Sequence, residues 1–547
     1  MSKNLSHLSG RKGMANNLFE KIGQLTEEAG GHLNPAQRKG LAEEYLIGKA
    51  NITGTISAYD FAKAENQGKK AYVCNGSACL LAGTQEKVHA ALGKHYTTDE
   101  IGDMTCLGRC HENSAFHAEG KNYSGHGAIN GLAKKKGTAN DYHVGHYGKQ
   151  ILTTDFPGLD EYYATLKQVL DQGADATLEK IKNSGIRGRG GAGFPMGFKL
   201  EACKYEISDQ KFIVCNADEG DPGAYSDRYL MEQQPHAVIF GMIAAGFTIG
   251  AHWGIIYARG EYPESIDILN REIEKLYDLQ ILGEDVMSSG FHFDLKVVKG
   301  LGAYICGEET ALLNSLEGQR PEVRTRPPYP TQQGLFNKPT VVNNVETLAA
   351  LHYILSNSGK AYAGHGTQKS TGTKLVCLDS FFNRPGLYEV EMGTPLRTVI
   401  DELGQGFKQP VKAMHIGGPL GGLVPLAKID DLTIDFESFS QNGFLLGHAS
   451  VICIPQEYPL VKYIEHLFAF TAHESCGKCF PCRLGSTRGK ELFQKAQNED
   501  FKIDRTLLND LIDTLERGSL CALGGGLPLP IKNALQYFED ELKTYLN

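Results

Sequence analysis

The chain has 547 residues, of which 41 % are hydrophobic, and its formal net charge at pH 7 is −9. At roughly 150 residues per domain, this length predicts three or four domains with substantial hydrophobic cores. The negative charge offers no basic stripe that would neutralise phosphates, so we exclude a general nucleic-acid-binding function.

Residues 1–65 are predicted to be mainly helical, with polar joints at Gly30-Gly31 and Asn34-Pro35. The first residues lack the apolar stretch of a secretory signal, which predicts a cytoplasmic protein. The chain has 13 cysteines. In a reducing compartment, grouped cysteines are expected to be metal ligands or catalysts rather than disulfides.

Residues 66–140 contain a compact α/β pattern and the first group of cysteines. We predict a strand that ends near Cys74, an amphipathic helix over 80–96 and a second strand that ends near Cys106. Cys74 and Cys79 form a C-x₄-C pair, and Cys106 and Cys110 form a C-x₃-C pair. Two neighbouring loops of this kind can hold a 2Fe–2S cluster, and zinc is the alternative. Neither pair has the C-x-x-C spacing of a thioredoxin-like redox motif.

Residues 141–177 are predicted to be a linker with a short helix, and residues 178–368 alternate between strand and helix patterns, which indicates an α/β sheet. Residues 237–258 contain no Asp, Glu, Lys or Arg and are long enough to cross a membrane. However, Pro235 at the front and Gly250 and Gly254 within the stretch favour a buried helix followed by a strand. We therefore predict no transmembrane segment.

A glycine-rich loop over 185–194 is the strongest candidate for anion binding in this α/β region. Its backbone N–H groups can approach a phosphate closely, and a helix that begins near Pro195 would add its dipole. Arg187, Arg189 and Lys199 are the candidate cationic partners. Polar clusters over 216–222, 302–309 and 341–347 interrupt otherwise apolar sequence. Each cluster alone is also compatible with a capped turn.

Residues 369–455 predict a small α+β module with a hairpin and one helix, and residues 456–547 predict mostly helices. The second group of cysteines lies in this last part. Cys476, Cys479 and Cys482 have the spacing C-x₂-C-x₂-C, and Cys521 follows 38 intervening residues later. This set favours a 4Fe–4S cluster with a remote fourth ligand over a zinc site. The remaining cysteines are expected to be buried, inert thiols: Cys203, Cys215, Cys306, Cys377 and Cys453.

Five segments together resemble the FMN-binding, NADH-oxidising flavoprotein subunit of respiratory complex I and its relatives in formate dehydrogenases and hydrogenases: GIRGRGGAGFPMGFK, NADEGDPG, GAYICGEETAL, KPTVVNNVETLA and ESCGKCFPCRLG. The resemblance covers roughly residues 178–547. The region around VCNGSACLLAG and CLGRC resembles the thioredoxin-like 2Fe–2S subunit of the same complexes. The resemblance therefore implies that both cysteine groups hold iron–sulfur clusters.

The resemblance also implies the fold class, an α/β multidomain protein. It implies an N-terminal helical segment (1–65), a thioredoxin-like 2Fe–2S domain (66–140), a linker (141–177), a Rossmann-like FMN- and NADH-binding domain (178–368), a small ubiquitin-like β-grasp domain (369–455) and a helical 4Fe–4S domain (456–547).

Individual roles follow from the resemblance position by position. The implied FMN phosphate loop consists of Gly188, Arg189, Gly190, Gly191 and Lys199. The implied ribityl and isoalloxazine contacts are Asn216, Asp218 and Glu219, and the implied remainder of the flavin site is Tyr304, Gly307, Glu308, Asn343, Asn344 and Thr347. Phe194 resembles the aromatic that stacks on the nicotinamide nucleotide. Glu309 resembles the carboxylate that accepts the adenosine ribose hydroxyls, and such a carboxylate repels a 2′-phosphate.

The chain departs from the family pattern at three places. Arg326-Pro-Pro-Tyr329 stands where relatives usually have Lys-Pro-Pro-Phe near the nucleotide, and an arginine would tolerate a 2′-phosphate better. Asp221 replaces a glutamate, and Ala202 replaces a second aromatic. NAD(H) remains the expected nucleotide.

The implied function is electron transfer between NADH or NAD⁺ and a large catalytic partner subunit. FMN would exchange a hydride with the nicotinamide, and the clusters would carry single electrons. Fusion of the two modules, with intact ligands in the first, predicts a molybdenum- or tungsten-dependent formate dehydrogenase partner. The alternatives are a hydrogenase, the peripheral arm of complex I and an electron-bifurcating assembly.

Overall fold

The computed structural model describes residues 13–125, 127–134, 137–138 and 142–547. Residues 1–12 of the predicted helical segment lie outside this part. The segment forms three helices: α1 (Leu18–Glu28), α2 (Pro35–Glu44) and α3 (Lys49–Ile56). Asn17 caps α1 through its side-chain oxygen, while its side-chain nitrogen donates to the Leu316 carbonyl at 2.7 Å. Phe19 stacks on Tyr257 with 5.9 Å between ring centroids. These helices therefore pack against the α/β region that follows.

The first cysteine-bearing module is a small mixed sheet with helices. Its elements are β1 (Ala71–Cys74), α4 (Ser77–Leu81), α5 (Gln85–Leu92), β2 (Ile101–Met104), β3 (Phe116–Ala118), β4 (Lys121–Tyr123) and α6 (Ala128–Ala133). The strand order is β2-β1-β3-β4, with β2 parallel and β3 antiparallel to β1. The single helix predicted over 80–96 is wrong. Gly83, at φ +63°, ends α4 and separates it from α5.

The central module is a four-stranded parallel sheet of order β8-β7-β6-β9. Its strands are β6 (Phe212–Ala217), β7 (Trp253–Ala258), β8 (Asp294–Lys299) and β9 (Thr340–Asn344). Its helices are α8 (Ala174–Ser184), α9 (Met196–Lys204), α10 (Ser226–Gln233), α11 (Pro235–Ile249), α12 (Pro263–Asp278), α13 (Glu309–Leu316), α14 (Pro330–Gln333), α15 (Val345–Ala349), α16 (Leu351–Ser356) and α17 (Gly359–Ala363). Helix α7 (Leu159–Gln172) and strand β5 precede them in the chain. Strand β5 is His143–Tyr147.

The apolar stretch at 237–258 is a buried helix followed by a strand, as predicted. Pro235 occupies the first turn of α11, and Gly250 ends the helix in the left-handed conformation at φ +72°. Strand β7 then enters the centre of the sheet. None of the helices in the described part of the chain has both the length and the hydrophobicity that crossing a bilayer requires.

The third module is a mixed six-stranded sheet of order β13-β12-β14-β10-β11-β5. Its own elements are β10 (Thr373–Leu378), β11 (Gly386–Glu391), α18 (Leu396–Thr398), β12 (Val411–Ile416), β13 (Gly422–Pro425), α19 (Phe436–Gln441) and β14 (Ser450–Pro455). The hairpin predicted at its start is the antiparallel pair β10–β11. Strand β5 pairs in parallel with β11 at the sheet edge. The segment predicted to be a linker therefore contributes a strand to this sheet.

The last module is helical, as predicted. It contains α20 (Leu460–Glu474), α21 (Phe480–Asn498), α22 (Arg505–Gly518), α23 (Ala522–Gly526), α24 (Pro528–Tyr537) and α25 (Glu539–Leu542). Phe468 of α20 stacks on Phe493 of α21 with 5.7 Å between ring centroids. The interior of this bundle is continuous with the core of the third module.

Candidate functional site

The polar clusters predicted from sequence meet at the carboxyl end of the parallel sheet. Asn216 lies at the end of β6, Asn343 and Asn344 end β9, and Tyr304 follows β8. The Asn216 side-chain nitrogen donates to the Gly307 carbonyl at 2.8 Å. Ligands of open parallel sheets bind in the crevice outside the carboxyl ends of the strands.

The glycine-rich loop forms a closed turn beside these strand ends. The Gly188 N–H donates to the Phe194 carbonyl at 2.9 Å, and α9 begins immediately after the loop. Gly191 has φ +111°, a conformation that favours glycine. A Cβ on Gly190 would lie only 3.0 Å from the Asn344 Cβ. The loop therefore requires small residues where it approaches β9. Because these residues have no side chains to fill the space, the backbone forms a concave surface that suits an anion.

The two arginines of this loop have different environments. The Arg189 backbone N–H donates to Thr347 Oγ1 at 2.8 Å, and its buried guanidinium donates from Nη2 to the Tyr362 hydroxyl at 3.0 Å. Its Nη1 has no partner among the described residues. Arg187 instead forms a 2.6 Å ion pair with Glu437. Arg189 therefore keeps a donor for a ligand, whereas Arg187 connects the loop to the third module.

An ion-pair network borders the same edge. Lys199 Nζ lies 3.2 Å from Glu309 Oε2, and Arg326 Nη1 lies 3.2 Å from Glu309 Oε1. Arg326 also pairs with Glu308. Glu308 caps α13, because its Oε2 accepts hydrogen bonds from the Thr310 and Ala311 backbone N–H groups, each at 2.9 Å. Glu309 is consequently held between two cations.

Exposed aromatic side chains stand next to this network. Phe194 is 47 % exposed, and its ring centroid lies 5.7 Å from that of Phe198, one turn into α9. Tyr329 is 54 % exposed and precedes α14, which packs against α9. Large exposed rings are costly to leave in water, and they suit a planar ligand that stacks on them.

The acidic loop after β6 is largely shielded from solvent, with Glu219 buried and Asp218 and Asp221 partly buried. Burial raises the pKa values of Asp218, Glu219 and Asp221. Glu219 Oε1 accepts from the Asp227 backbone N–H at 2.9 Å, which caps the start of α10. Asp221 Oδ1 accepts a 2.6 Å hydrogen bond from the Tyr304 hydroxyl. Asp218 Oδ2 has no partner in the described part of the chain.

Two residues at this site were missed by the sequence analysis. Asp227 Oδ2 accepts from the Asn344 side-chain nitrogen at 2.6 Å. His448, from the third module, places Nε2 3.5 Å from both Glu219 Oε1 and Asp227 Oδ2. Asp227 follows the acidic loop closely, so its position offered a weak signal. His448 is 221 residues further along the chain and lies in no motif.

The unpaired polar atoms of the site fit a flavin nucleotide. Five residues described above each have a buried atom that lacks a hydrogen-bond partner among the described residues: Arg189 Nη1, Asp218 Oδ2, Asp227 Oδ1, Asn343 Nδ2 and His448 Nδ1. Buried donors and acceptors are normally paired, so this concentration indicates a polar ligand. A phosphate at the glycine loop and a ring system with several donors and acceptors would satisfy them.

The first cysteine group converges beside the acidic loop. Cys106 Sγ and Cys110 Sγ are 3.7 Å apart, and Cys74 and Cys79 are close enough for their thiols to hydrogen-bond. All four cysteines of the group are buried. The Gly223 N–H, at the end of the acidic loop, donates to Cys110 Sγ at 3.2 Å. A sulfur-rich cavity of this kind fits an iron–sulfur cluster or zinc.

The second cysteine group converges near helix α20, whose Glu474 is linked to the acidic loop through Tyr304. Burial raises the pKa of the Cys521 thiol to about 12, with smaller contributions from Glu308, Cys476 and Cys482. The four cysteines lie in one neighbourhood, because Cys476, Cys479 and Cys521 pack against the hydrophobic cluster that contains Cys482. Cys482 Sγ is also 3.3 Å from Ser475 Oγ. Three ligands at the start of α21 and one before α23 form a four-thiolate set, which fits a 4Fe–4S cluster.

Comparison with known protein families identifies the family to which this chain belongs. Residues 181–353 match the model of the Nuo51 FMN-binding domain, and residues 462–545 match that of the NADH-ubiquinone oxidoreductase-F iron–sulfur binding region. The NADP-reducing hydrogenase subunit HndC of Solidesulfovibrio fructosivorans is 39 % identical over 402 residues, which cover 72 % of this chain and 81 % of that protein. The chain belongs to the complex I 51 kDa flavoprotein family.

Other members of the complex I 51 kDa flavoprotein family give the same result. The mitochondrial NADH-ubiquinone oxidoreductase 51 kDa subunit of Neurospora crassa is 36 % identical over 388 residues, which cover 69 % of this chain and 78 % of that protein. A chain in the crystal structure of an NAD⁺-reducing [NiFe]-hydrogenase in the H₂-reduced state superposes with a TM-score of 0.86 at 28 % identity. That match covers 97 % of this chain and 92 % of the hydrogenase chain.

Membership in this family shows that the chain is an NADH-dehydrogenase-type flavoprotein subunit that binds FMN and a 4Fe–4S cluster. Bound FMN supplies the chemistry that exchanges a hydride with the nicotinamide and releases electrons one at a time.

Proposed function

We propose that this chain is the NAD(H)-oxidising and NAD⁺-reducing subunit of a larger cytoplasmic oxidoreductase and that its partner is a catalytic subunit. The observation that carries this proposal is that the acidic loop contacts the first cysteine group directly and is linked through Tyr304 to the residues that precede the second group. Gly223 donates to Cys110 Sγ at 3.2 Å, and Tyr304 joins Asp221 to Glu474, two residues before Cys476. Short separations of this kind favour electron transfer between the flavin site and each cluster site.

The nicotinamide nucleotide would bind along the exposed edge that carries Phe194 and Glu309. Phe194 would stack on a ring of the nucleotide, and Glu309 would accept the adenosine ribose hydroxyls. Arg326 Nη1 lies 3.2 Å from Glu309 Oε1, so Arg326 and the ribose hydroxyls would compete for the same carboxylate. Arg326 would then be free to face a 2′-phosphate of the nucleotide. Tyr329 is near enough to Arg326 in sequence to cover the same end of the nucleotide.

The first cysteine group is proposed to hold a 2Fe–2S cluster. Two pairs of thiols rather than one run of three suit two iron atoms, each bound by a pair. Its four buried cysteines, Cys74, Cys79, Cys106 and Cys110, contact the flavin-site loop through Cys110. This cluster would therefore receive electrons from the same flavin as the 4Fe–4S cluster.

The partner would dock where the 4Fe–4S site reaches the surface. Cys476, Cys479 and Cys521 are only partly buried. Apolar side chains next to them are exposed, with Phe480 at 67 % and Leu520 at 47 %. An apolar rim around a partly exposed cluster suits a protein surface that brings its own electron acceptor close to the cluster.

Two partners have specific support. A hydrogenase is supported by the solved [NiFe]-hydrogenase chain, which matches 97 % of this chain and therefore includes the fused first module. A molybdenum- or tungsten-dependent formate dehydrogenase is the partner that the sequence resemblance predicts, because the cysteine ligands of the first module are intact.

Purification of the intact complex from its native cells would distinguish these partners. We expect one large subunit to co-purify. Elemental analysis of the complex should then find nickel for a hydrogenase, or molybdenum or tungsten for a formate dehydrogenase. H₂-dependent NAD⁺ reduction would identify the hydrogenase, and formate-dependent reduction would identify the formate dehydrogenase. The proposed activity would be refuted if the chain purified without FMN. It would also be refuted if NADH failed to bleach the bound flavin.

A further inference from the structure

His448 enters the flavin region from the third module. It lies in the turn just before β14 and is only 4 % exposed. The preceding Gly447 packs directly against the glycine-rich loop, since a Cβ on Gly191 would lie 3.5 Å from the Gly447 carbonyl carbon. The third module therefore forms one wall of the site, and His448 is the ionisable side chain of that turn.

One nitrogen of the His448 ring is occupied by carboxylates. Nε2 lies 3.5 Å from Asp227 Oδ2 and 3.5 Å from Glu219 Oε1. Burial lowers the pKa of His448, but the Asp227 and Glu219 carboxylates outweigh this effect and raise the pKa to about 9. Lys374 opposes the increase from the far side. At neutral pH the ring is therefore protonated, and both of its nitrogens are hydrogen-bond donors.

The other ring nitrogen is unused. Nδ1 is buried, and the described residues supply no acceptor for it. Asp227 Oδ1 and Asn343 Nδ2 are buried and unpaired in the same region. A charged donor without an acceptor is unfavourable in a buried site, so we infer that its partner comes from outside the described residues. The partner would be an atom that accepts hydrogen bonds and tolerates a neighbouring positive charge.

We propose that His448 is a further FMN-binding residue, which donates a hydrogen bond from Nδ1 to an acceptor atom of the cofactor. The inference rests on the flavin-site assignment made above and extends it to a residue outside the glycine-rich and acidic motifs. The charge of His448 has a second consequence. Reduction adds negative charge to a flavin, and a nearby cation stabilises that charge, so His448 raises the midpoint potential of bound FMN.

Two substitutions in the full-length chain separate hydrogen bonding from charge. His448→Gln keeps an N–H donor but removes the charge, and His448→Leu removes both. We would measure FMN binding to the deflavinated protein by fluorescence titration and the midpoint potential of the FMN couple by spectroelectrochemistry. We expect His448→Leu to bind FMN about tenfold more weakly and His448→Gln to lose less affinity. Both variants should have a more negative midpoint potential than the unsubstituted protein.

His292→Gln is the matched control. His292 also pairs with a carboxylate, at 2.8 Å from Asp294, but lies next to the amino end of β8. That is the edge of the sheet opposite the flavin site. We expect FMN affinity and midpoint potential in this variant to equal those of the unsubstituted protein.

Unchanged FMN affinity and potential in both His448 variants would overturn the proposal and leave His448 as a counter-ion of Glu219 and Asp227. If His448→Leu fails to fold, His448→Gln still decides the matter through the midpoint potential. Failure of the unsubstituted protein to bind FMN would instead contradict the flavin-site assignment.

Discussion

Tyr304 and Asp221 are joined by a 2.6 Å hydrogen bond from the tyrosine hydroxyl to Asp221 Oδ1. The Tyr304 backbone N–H donates to Glu474 Oε2 at 2.9 Å, and its ring packs on Phe470 with 4.9 Å between centroids. One residue thus connects the acidic loop of the flavin site to the end of helix α20, immediately before the 4Fe–4S ligands. The relative position of these two sites depends on this side chain.

Tyr304→Phe should destabilise the protein by about 1–3 kcal/mol, because it leaves the buried Asp221 carboxyl without its hydroxyl donor. Urea-induced unfolding would measure the loss. Tyr205→Phe is the control, since Tyr205 is 68 % exposed and its hydroxyl can bond to water in the folded protein. Equal losses in the two variants would contradict a special role for the buried pair.

Glu309→Gln should lower kcat/KM for NADH roughly tenfold to hundredfold, because charge-assisted hydrogen bonds to the ribose would be replaced by neutral ones. The ratio of NADPH to NADH activity should rise, since Arg326 would lose one of its two carboxylate partners and no negative charge would repel a 2′-phosphate. Steady-state kinetics with a dye acceptor would measure both effects. Glu201→Gln, which breaks the 2.6 Å surface pair between Glu201 of α9 and Lys182 of α8, should alter neither.

Cys476→Ser should lose about four iron atoms per chain, those of one 4Fe–4S cluster, while NADH still reduces FMN. Iron analysis and stopped-flow bleaching of the flavin would measure the two quantities. Electron transfer to the partner subunit should be lost. Cys203→Ala, which changes a buried thiol outside both cysteine groups, is the control. Iron content equal to that of the control would disprove the ligand assignment.

Cys106→Ser should remove about two iron atoms, those of a 2Fe–2S cluster, and leave the 4Fe–4S signal in electron paramagnetic resonance intact. The unsubstituted protein should contain no stoichiometric zinc. If metal analysis instead finds one zinc per chain that disappears in Cys106→Ser, the first cysteine group is a zinc site and the proposed second cluster is absent.

Phe480→Asp should weaken association with the partner subunit and leave NADH oxidation with a small dye unchanged. The substitution places a charge in an apolar rim that the partner would have to desolvate. Co-purification yield and the salt dependence of binding would report the effect. Leu46→Asp, at another side chain that is 72 % exposed, is the control. Equal recovery of the partner with both variants would exclude docking at this rim.

The sequence predicted the parts of this molecule that depend on local pattern. Pro235 and Gly250 marked the ends of α11 correctly, because a proline at the first turn and a glycine just past the last are local signals. The two cysteine groups and the strand-end polar clusters were likewise recognised from spacing and motif, and the family matches bear out FMN and the 4Fe–4S cluster.

Features that depend on long-range contacts could not be predicted in this way. Strand β5 is half exposed at a sheet edge, so it lacks the apolar alternation of a buried strand. His448 reaches Glu219 and Asp227 only because the third module folds against the first turns after β6. Arg187 had the same sequence context as Arg189, yet only Arg189 retains an unpaired buried donor.

Glu389 of β11 limits where the chain can be truncated to give a stable fragment. Its buried carboxylate accepts hydrogen bonds from the backbone N–H groups of Ile151, Leu152 and Thr153 at 2.9–3.0 Å and from the Thr373 hydroxyl at 2.7 Å. A truncated flavoprotein half that began at residue 178 would lack three of these donors and would bury an unsatisfied negative charge. A stable half must therefore start before Ile151, and it must start before His143 to keep strand β5 beside β11.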